Sequence, residues 1–232
     1  MTADLHAIDR IMRRGRAITV AGLLALAGIY VLALGFTPAE RNQGLAFKIL
    51  YVHAPAAWAM EMAFVLVGVV GVLYFWLQDA RLDIFAEASA TVGMVFGAVL
   101  LITGPIWGRT IWGAWWVWDP RLTFTLLLYL LFAGYFALRS ALRDPVERAR
   151  FGAVIGIMGT ILVPFIHLTV YLFNSQHPKP VIMAPQKSPL PWVLLEPLLL
   201  SFGAYTLLYI GFVTTRYGIG LKRAATEARD AE

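Results

Sequence analysis

The sequence predicts an all-α integral membrane protein, a bundle of six transmembrane helices with both termini on the cytoplasmic side, and three observations carry that prediction. Of its 232 residues 59% are hydrophobic and only 14% charged, which no ordinary soluble domain shows. Six stretches, 17–36, 54–77, 88–107, 122–138, 151–173 and 192–214, reach the length needed to cross a hydrocarbon core, about 20 apolar residues. They are too long and too continuous for barrel strands, and lipid gives the backbone no hydrogen-bond partner, so helices are the form expected. Finally, the cations divide unevenly between the two sets of loops: thirteen Lys and Arg flank the amino terminus, the second and fourth loops and the tail, against six in the other three loops. The positive-inside rule then turns both termini inward.

Before the first span, Leu5, Ile8 and Met12 recur at helical spacing opposite Arg10 and Arg13, which suggests a short helix lying on the inner membrane surface. The span itself is longer than the ~7 to 15 apolar residues of a secretory signal, so it is read as an uncleaved first helix. The first outer loop, 37–52, leads into Tyr51-Val52-His53-Ala54-Pro55. Proline suits the first turn of a helix, where its missing N–H costs nothing, so His53 is expected at or just before the outer end of the second span. A lone interfacial histidine is ordinarily a solvated or capping side chain, and its interest depends on its company.

The third and fourth spans are joined by Trp112-Gly113-Ala114-Trp115-Trp116-Val117-Trp118-Asp119-Pro120-Arg121-Leu122-Thr123, with four tryptophans in seven residues. Tryptophan favours the headgroup level, where one end is apolar and the other wet, so an aromatic belt is the plain reading. Belt residues are scattered one or two to a helix end, however, and four sharing a loop with Asp119 and Arg121 suggest a shelf for a flat ligand. The charged fourth loop breaks at Asp144-Pro145. The fifth span holds His167 and, at its exit, Asn174 and His177, followed by a Pro-rich loop, 178–191. If the intervening ten residues are helical, about 15 Å of rise puts His177 at the surface and His167 inside the bilayer. There a neutral histidine hydrogen-bonded within the bundle is the ordinary fate. Glu61 and Glu196 also fall within spans and are expected to face the interior and accept hydrogen bonds, with no role assigned.

Several functions are excluded at once. With no cysteine there is no disulfide framework, thiolate metal site or covalent haem attachment motif. Gly218-Ile219-Gly220-Leu221-Lys222 lacks the spacing and the hydroxyl of a phosphate-binding loop, so any ATP hydrolysis must come from a partner. The net charge of +5 is accounted for by the inner loops and needs no nucleic acid.

Topology gathers His53, His177 and the tryptophan segment on the outer side. Two neutral imidazoles can bind the iron of a planar porphyrin from opposite faces, with the tryptophans as an apolar wall. Arg121, Arg109 and Lys48 are outward cations suited to the two propionates.

Taken together, Trp107-Gly108, Trp112-Gly113 through Trp118-Asp119 with Arg121-Leu122-Thr123, Tyr51-Val52-His53 with Pro55-Ala56-Ala57-Trp58, and Asn174 with His177 resemble the CcmC family. These are haem-handling membrane proteins of bacterial cytochrome c maturation, within the wider group sharing the tryptophan-rich WWD domain. The match extends over nearly all six spans. The resemblance implies a single six-helix domain over 1–232, with the WWD loop, 107–123, facing the periplasm from the bacterial inner membrane. It implies haem b as a transported ligand, His53 and His177 as its axial ligands, and Trp112, Trp115, Trp116, Trp118 and Asp119 as its platform, with Arg121 and Arg109 beside it. The partners it implies, besides membrane lipid, are the haem chaperone CcmE, which receives the haem, the ABC-type subunits CcmA and CcmB, and the small CcmD. It implies a binding and delivery protein rather than an enzyme, any attachment of haem to the chaperone being assisted in a complex. One departure stands out: Leu172 and Phe173 occupy positions where the family pattern leads one to expect a pair of tryptophans.

Two other readings compete. A di-haem electron-transfer subunit needs four ligands, two near each side, and His6 is the only histidine on the cytoplasmic side. A permease that moves haem or a small solute through its own core needs a polar path at the midplane. Gly97, Gly104, Pro105, Pro164, His167 and Glu61 permit such a path without demanding it.

Overall fold

The computed structural model describes residues 5–173, 175–177 and 190–230, so Asn174, Lys179 and Lys187 lie outside the described residues. The described residues form six α-helices and no strand: α1 (Leu5–Gly35), α2 (Leu50–Leu77), α3 (Ala80–Trp112), α4 (Pro120–Ala141), α5 (Pro145–Leu172) and α6 (Trp192–Asp230). All six are long and apolar enough to cross a membrane. Three of them start at an aspartate: Asp79, Asp119 and Asp144 each accept the backbone N–H two residues on, which satisfies one of the donors a helix start leaves open. After Asp119 and Asp144 the first helical residue is proline, whose missing donor is no loss there.

Helix α2 is the centre of the bundle, packed against α3, α5 and α6, while α1 lies along α6 and α4 along α5. The most apolar stretches of α2 and α3 are half buried, against 11% for α1 and 17% for α4, so the last two present most of their surface outward. Their exposed residues, such as Leu23 and Leu24 on α1 and Leu127 and Leu130 on α4, are those a lipid-facing wall requires. The core between the central helices is aromatic and aliphatic: Phe64 of α2 stacks on Phe132 of α4 with ring centroids 3.6 Å apart, among Met60, Val67, Phe96 and Leu128. Backbones come close where α2 crosses α5. A side chain added at Gly156 would reach Val67 Cγ1 at 2.7 Å, so only glycine allows that approach.

Three expectations are corrected by the packing. Residues 5–16 are not a separate surface helix but the first turns of α1, with Ile8 and Met12 buried. The reason is α6, which continues far beyond 214 to Asp230 and offers Gly218 as a seat for Met12; Lys222 pairs with Asp9 there at 3.2 Å. Helix α2 begins before His53, at Leu50, preceded by a 3-10 turn over Leu45–Ile49, so Pro55 stands inside the helix rather than in its opening position. Tyr51, 1% exposed, anchors that early start by donating its hydroxyl to the carbonyl of Leu194 at 3.2 Å. Glu196 is exposed on α6 instead of facing the interior.

Because the six helices alternate in direction, the ends of α1, α3 and α5 and the starts of α2, α4 and α6 share one end of the bundle. Leu5 and Asp230, the ends of α1 and α6, lie at the other.

Candidate functional site

His53 is held in the first turn of α2 by α3. Its Nδ1 lies 3.0 Å from the hydroxyl of Thr103, and that hydroxyl donates to the carbonyl of Val99 at 2.8 Å. When Thr103 gives its one hydrogen to that carbonyl it accepts from the ring, so that Nδ1 carries the proton and Nε2 keeps the lone pair. Trp107 packs edge-to-face on the imidazole, with centroids 5.5 Å apart and planes at 72°, and its own N–H donates to Gln43 at 2.9 Å. A side chain at Gly104 would approach His53 Cε1 to 3.2 Å, so glycine there lets the imidazole lie against α3. Thr103 was not among the sequence candidates, although its place one turn from Trp107 on the same helix, just below the tryptophans, was readable.

Helix α3 continues through Trp107, Arg109 and Trp112, so the irregular stretch of the tryptophan segment is confined to residues 113–119. Gly113 takes a left-handed φ of 75°, the usual means of closing a helix, and the Arg109 guanidinium donates to its carbonyl. Trp112 folds back over Gly108. Beyond it Trp115 and Trp118 are 61% and 77% exposed, large apolar faces at the open end of the bundle. Trp116 is half-buried and meets Trp118 edge-on at 5.9 Å; its indole N–H is buried with no hydrogen-bond partner among the described residues.

Asp119 ties this segment to the exit of α5. One carboxylate oxygen accepts the Arg121 N–H at 2.9 Å and caps α4; the other accepts the Gln176 N–H at 2.7 Å. The carboxylate is thus spent on two backbone donors, one on each side of the site, and is 6% exposed. This corrects the spacing assumed for His177. Helix α5 stops at Leu172, with Phe173 extended, so the ten residues from His167 are not all helical and His177 is set by the Asp119 tether instead of by helical rise. His53, Arg121 and His177 share one end of the bundle, where α2 and α4 begin and the chain leaves α5.

The three cations expected at the ligand differ in how they are occupied. Lys48 donates to the carbonyls of Leu34 and Thr37 at 2.7 and 3.1 Å, completing the open end of α1. Arg109 serves the end of α3 in the same way. Arg121 lies in reach of the charges of Glu61 and Asp119, yet its Nη1 is buried with no hydrogen-bond partner among the described residues. Of the three it alone has a nitrogen that is buried with no hydrogen-bond partner among the described residues. Beneath it, His167 Nε2 lies 2.8 Å from Glu61 Oε2, joining α5 to α2. His167 is therefore hydrogen-bonded within the bundle, as its depth predicts. Among the described residues no group of three or more His, Asp or Glu side chains converges on one point.

Comparison with known proteins points in one direction. The sequence model of the family CcmC, described as heme exporter protein C, matches residues 5–231. The chain is 36% identical to the heme exporter protein C of Haemophilus influenzae over 201 residues, covering 85% of this chain and 81% of that one. It is 32% identical to that of Paracoccus denitrificans over 230 residues, 95% of each, and 33% identical to that of Escherichia coli K12 over 192 residues, 79% and 77%. The similarity therefore runs through every helix and the segments between them, and the chain belongs to the CcmC, or heme exporter protein C, family.

Proposed function

We propose that this chain takes haem b as cargo at the periplasmic face of the bacterial inner membrane and delivers it to the haem chaperone CcmE for cytochrome c maturation, in a complex with CcmA, CcmB and CcmD. The observation that carries the reading is the hydrogen bond from His53 Nδ1 to Thr103, which orients the imidazole and keeps Nε2 as the nitrogen able to ligate. His177, which follows the residue tethered to Asp119 at the same end of the bundle, is the second ligand. Trp112, Trp115, Trp116 and Trp118 supply apolar faces, and Arg121 supplies a buried N–H for a propionate, with Arg109 at the rim. Family membership and the printed names of the relatives support haem as the cargo.

In this reading the chain binds and orients; it makes and breaks no covalent bond of its own. Trp107 and Thr103 fix the ring of His53, and the tryptophans exclude water from one side of the cargo while leaving the other approachable. The face is assigned to the periplasm by the thirteen-to-six division of cations.

The test is the visible spectrum of haem bound to purified variants. His53→Ala and His177→Ala should each convert a six-coordinate bis-imidazole spectrum to a five-coordinate or water-ligated one, and the double variant should bind most weakly. His167→Ala should keep the wild-type spectrum. A bis-imidazole spectrum that survives His177→Ala but not His167→Ala would move the cargo into the bilayer and favour the permease reading. Orientation has its own check: a cysteine at Ala114 should react with an impermeant thiol reagent added outside, and one at Ala141 should not. The reverse pattern overturns the assignment of the face.

A further inference from the structure

Helices α4 and α5 pack closely on one side and part on the other. Toward the core, glycines of α5 receive aromatic rings of α4: a Cβ at Gly159 would stand 2.5 Å from Phe132 Cε2, and one at Gly152 3.1 Å from Tyr135 Cε2. On the outward side, where Leu130 and Met158 are exposed, the two helices border a groove of about 950 Å³. Its walls include Leu131, Gly134 and Leu138 of α4 and Ile155, Met158 and Leu162 of α5. Gly134 keeps it open, since a side chain there would meet nothing within 4 Å. None of the residues assigned to haem lines this groove.

The two ends of the groove differ. Toward the tryptophan segment, Phe124 of α4 closes on Phe165 of α5 edge-to-face, with ring centroids 4.8 Å apart. Beyond the opposite end stands Arg148. It precedes Ile155 by seven residues, about two whole turns, so it continues the groove's face of α5 about 10 Å further along. Its carbonyl accepts from Arg139 of α4 at 3.5 Å, which sets it at the seam between the two helices. Its Nε is buried with no hydrogen-bond partner among the described residues. The acids around it are turned to other tasks: Asp144 accepts the Val146 N–H at 2.9 Å, and Asp83 and Glu87 hold Arg139. Glu147 leaves the helix about 100° away from Arg148.

We propose that the groove is the seat of one anionic phospholipid from the leaflet opposite the tryptophan segment, with an acyl chain against Gly134 and the phosphate at Arg148. The dimensions suit a lipid. From Leu138 to Leu127 the groove runs about 17 Å along α4, and one leaflet provides ~15 Å of hydrocarbon, half of a ~30 Å core. The asymmetry suits it too, because a lipid has a charge at one end only. A partner helix crossing the whole membrane needs neither a cation beyond one end of its groove nor a closure near the other. Basic pockets between transmembrane helices hold anionic headgroups through such cations, and the guanidinium is the side chain best shaped for a phosphate. For α4, whose most apolar stretch is only 17% buried, the lipid is a second support beside α5.

The experiment counts lipids bound to the purified, delipidated full-length protein by native mass spectrometry, with phosphatidylglycerol or phosphatidylcholine of identical chains added back. Wild type should hold one phosphatidylglycerol about tenfold more tightly than phosphatidylcholine, the scale of one hydrogen bond between charged groups. Arg148→Gln should abolish the preference. Arg150→Gln removes an equal charge about 200° round the same helix and should keep it. Gly134→Leu should weaken both lipids about threefold or more, and it puts its side chain into open space, so the fold is retained. Equal binding of the two lipids by wild type would overturn the proposal, as would a preference lost as fully in Arg150→Gln as in Arg148→Gln. Undiminished lipid binding by Gly134→Leu would overturn the placing of the acyl chain; if that variant also lost co-purifying membrane subunits, the groove would belong to a partner helix. Should Arg148→Gln fail to fold, the two lipids on wild type and on Gly134→Leu decide between the same outcomes.

Discussion

Helix α4 carries two arginines, Arg121 at its start and Arg139 in its last turn. Eighteen residues at 3.6 per turn are about five whole turns, so both leave the same face of the helix, about 27 Å apart. Their surroundings differ. Arg139, 6% exposed, donates to both oxygens of Asp83 at 2.5 and 2.9 Å and to Glu87 at 2.7 Å, and lies over the ring of Tyr135 with 5.2 Å to the centroid. Arg121 leaves Nη1 buried and unbonded among the described residues. A guanidinium completed by the protein is a clamp; one left incomplete is prepared for something the protein does not contain. Incompleteness alone is not the mark of a haem site, since the Tyr135 hydroxyl and Arg148 Nε at the inner end also lack partners among the described residues. What distinguishes Arg121 is its company, two histidines and a wall of exposed indole.

The contrast is broken most severely at Arg139. Arg139→Met strands Asp83 and Glu87 in a part-buried cluster joining α3 to α4, and removal of one partner from such a cluster costs about 3–5 kcal/mol. Thermal unfolding in detergent should show a large fall. Arg121→Met should cost a fraction of that, because Glu61 keeps His167, while haem retention drops. Comparable instability in the two variants would erase the distinction between clamp and site.

A finer comparison lies in the two Asp-Pro helix starts. Asp119→Ala and Asp144→Ala each remove one capping bond, worth about 1 kcal/mol. Only Asp119→Ala also releases the Gln176 N–H, so only that variant should change the bound-haem spectrum in the manner of a lost His177. If the spectrum is indifferent to Asp119, the tether has no part in placing the ligand.

The smallest effect is expected from the shelf. Trp115→Ala with Trp116→Ala removes two apolar faces, each contributing ~1 kcal/mol by stacking. Haem retention should weaken with insertion and thermal stability near wild type, since Trp115 is 61% exposed and supports little else. Unchanged retention would return these tryptophans to the ordinary aromatic belt.

The six helices and the alternation that gathers the site at one end were legible because length and apolarity decide both. Helix ends were less so. Residues 5–16 read as a surface helix only while the partner that buries Ile8 and Met12, the extension of α6, was out of sight. The Glu61–His167 pair was within reach: Glu61 lies eight residues into the bundle from His53 and His167 lies on a helix running the other way, so their depths agree and each needed a partner. The carbonyl partners of Lys48 and Arg109 were not, because helix carbonyls compete for any nearby cation and a sequence does not say which will win. Nor could spacing find the Asp119 bridge, whose donor is a main-chain N–H.

That bridge bears on which residues the exit of α5 can change. Gln176 contributes its peptide nitrogen, and every amino acid except proline brings the same donor. The bridge itself is thereby insulated from the side chain at 176, while Ser175 adds a side-chain contact of its own by accepting the His177 N–H at 3.1 Å. Leu172 and Phe173 can stand where the family pattern has indole rings, and they are 62% and 48% exposed. Sequence drift at 172, 173 and 176 therefore leaves the bridge in place unless it puts proline at 176, whereas at 175 it removes the hydroxyl that accepts the His177 N–H.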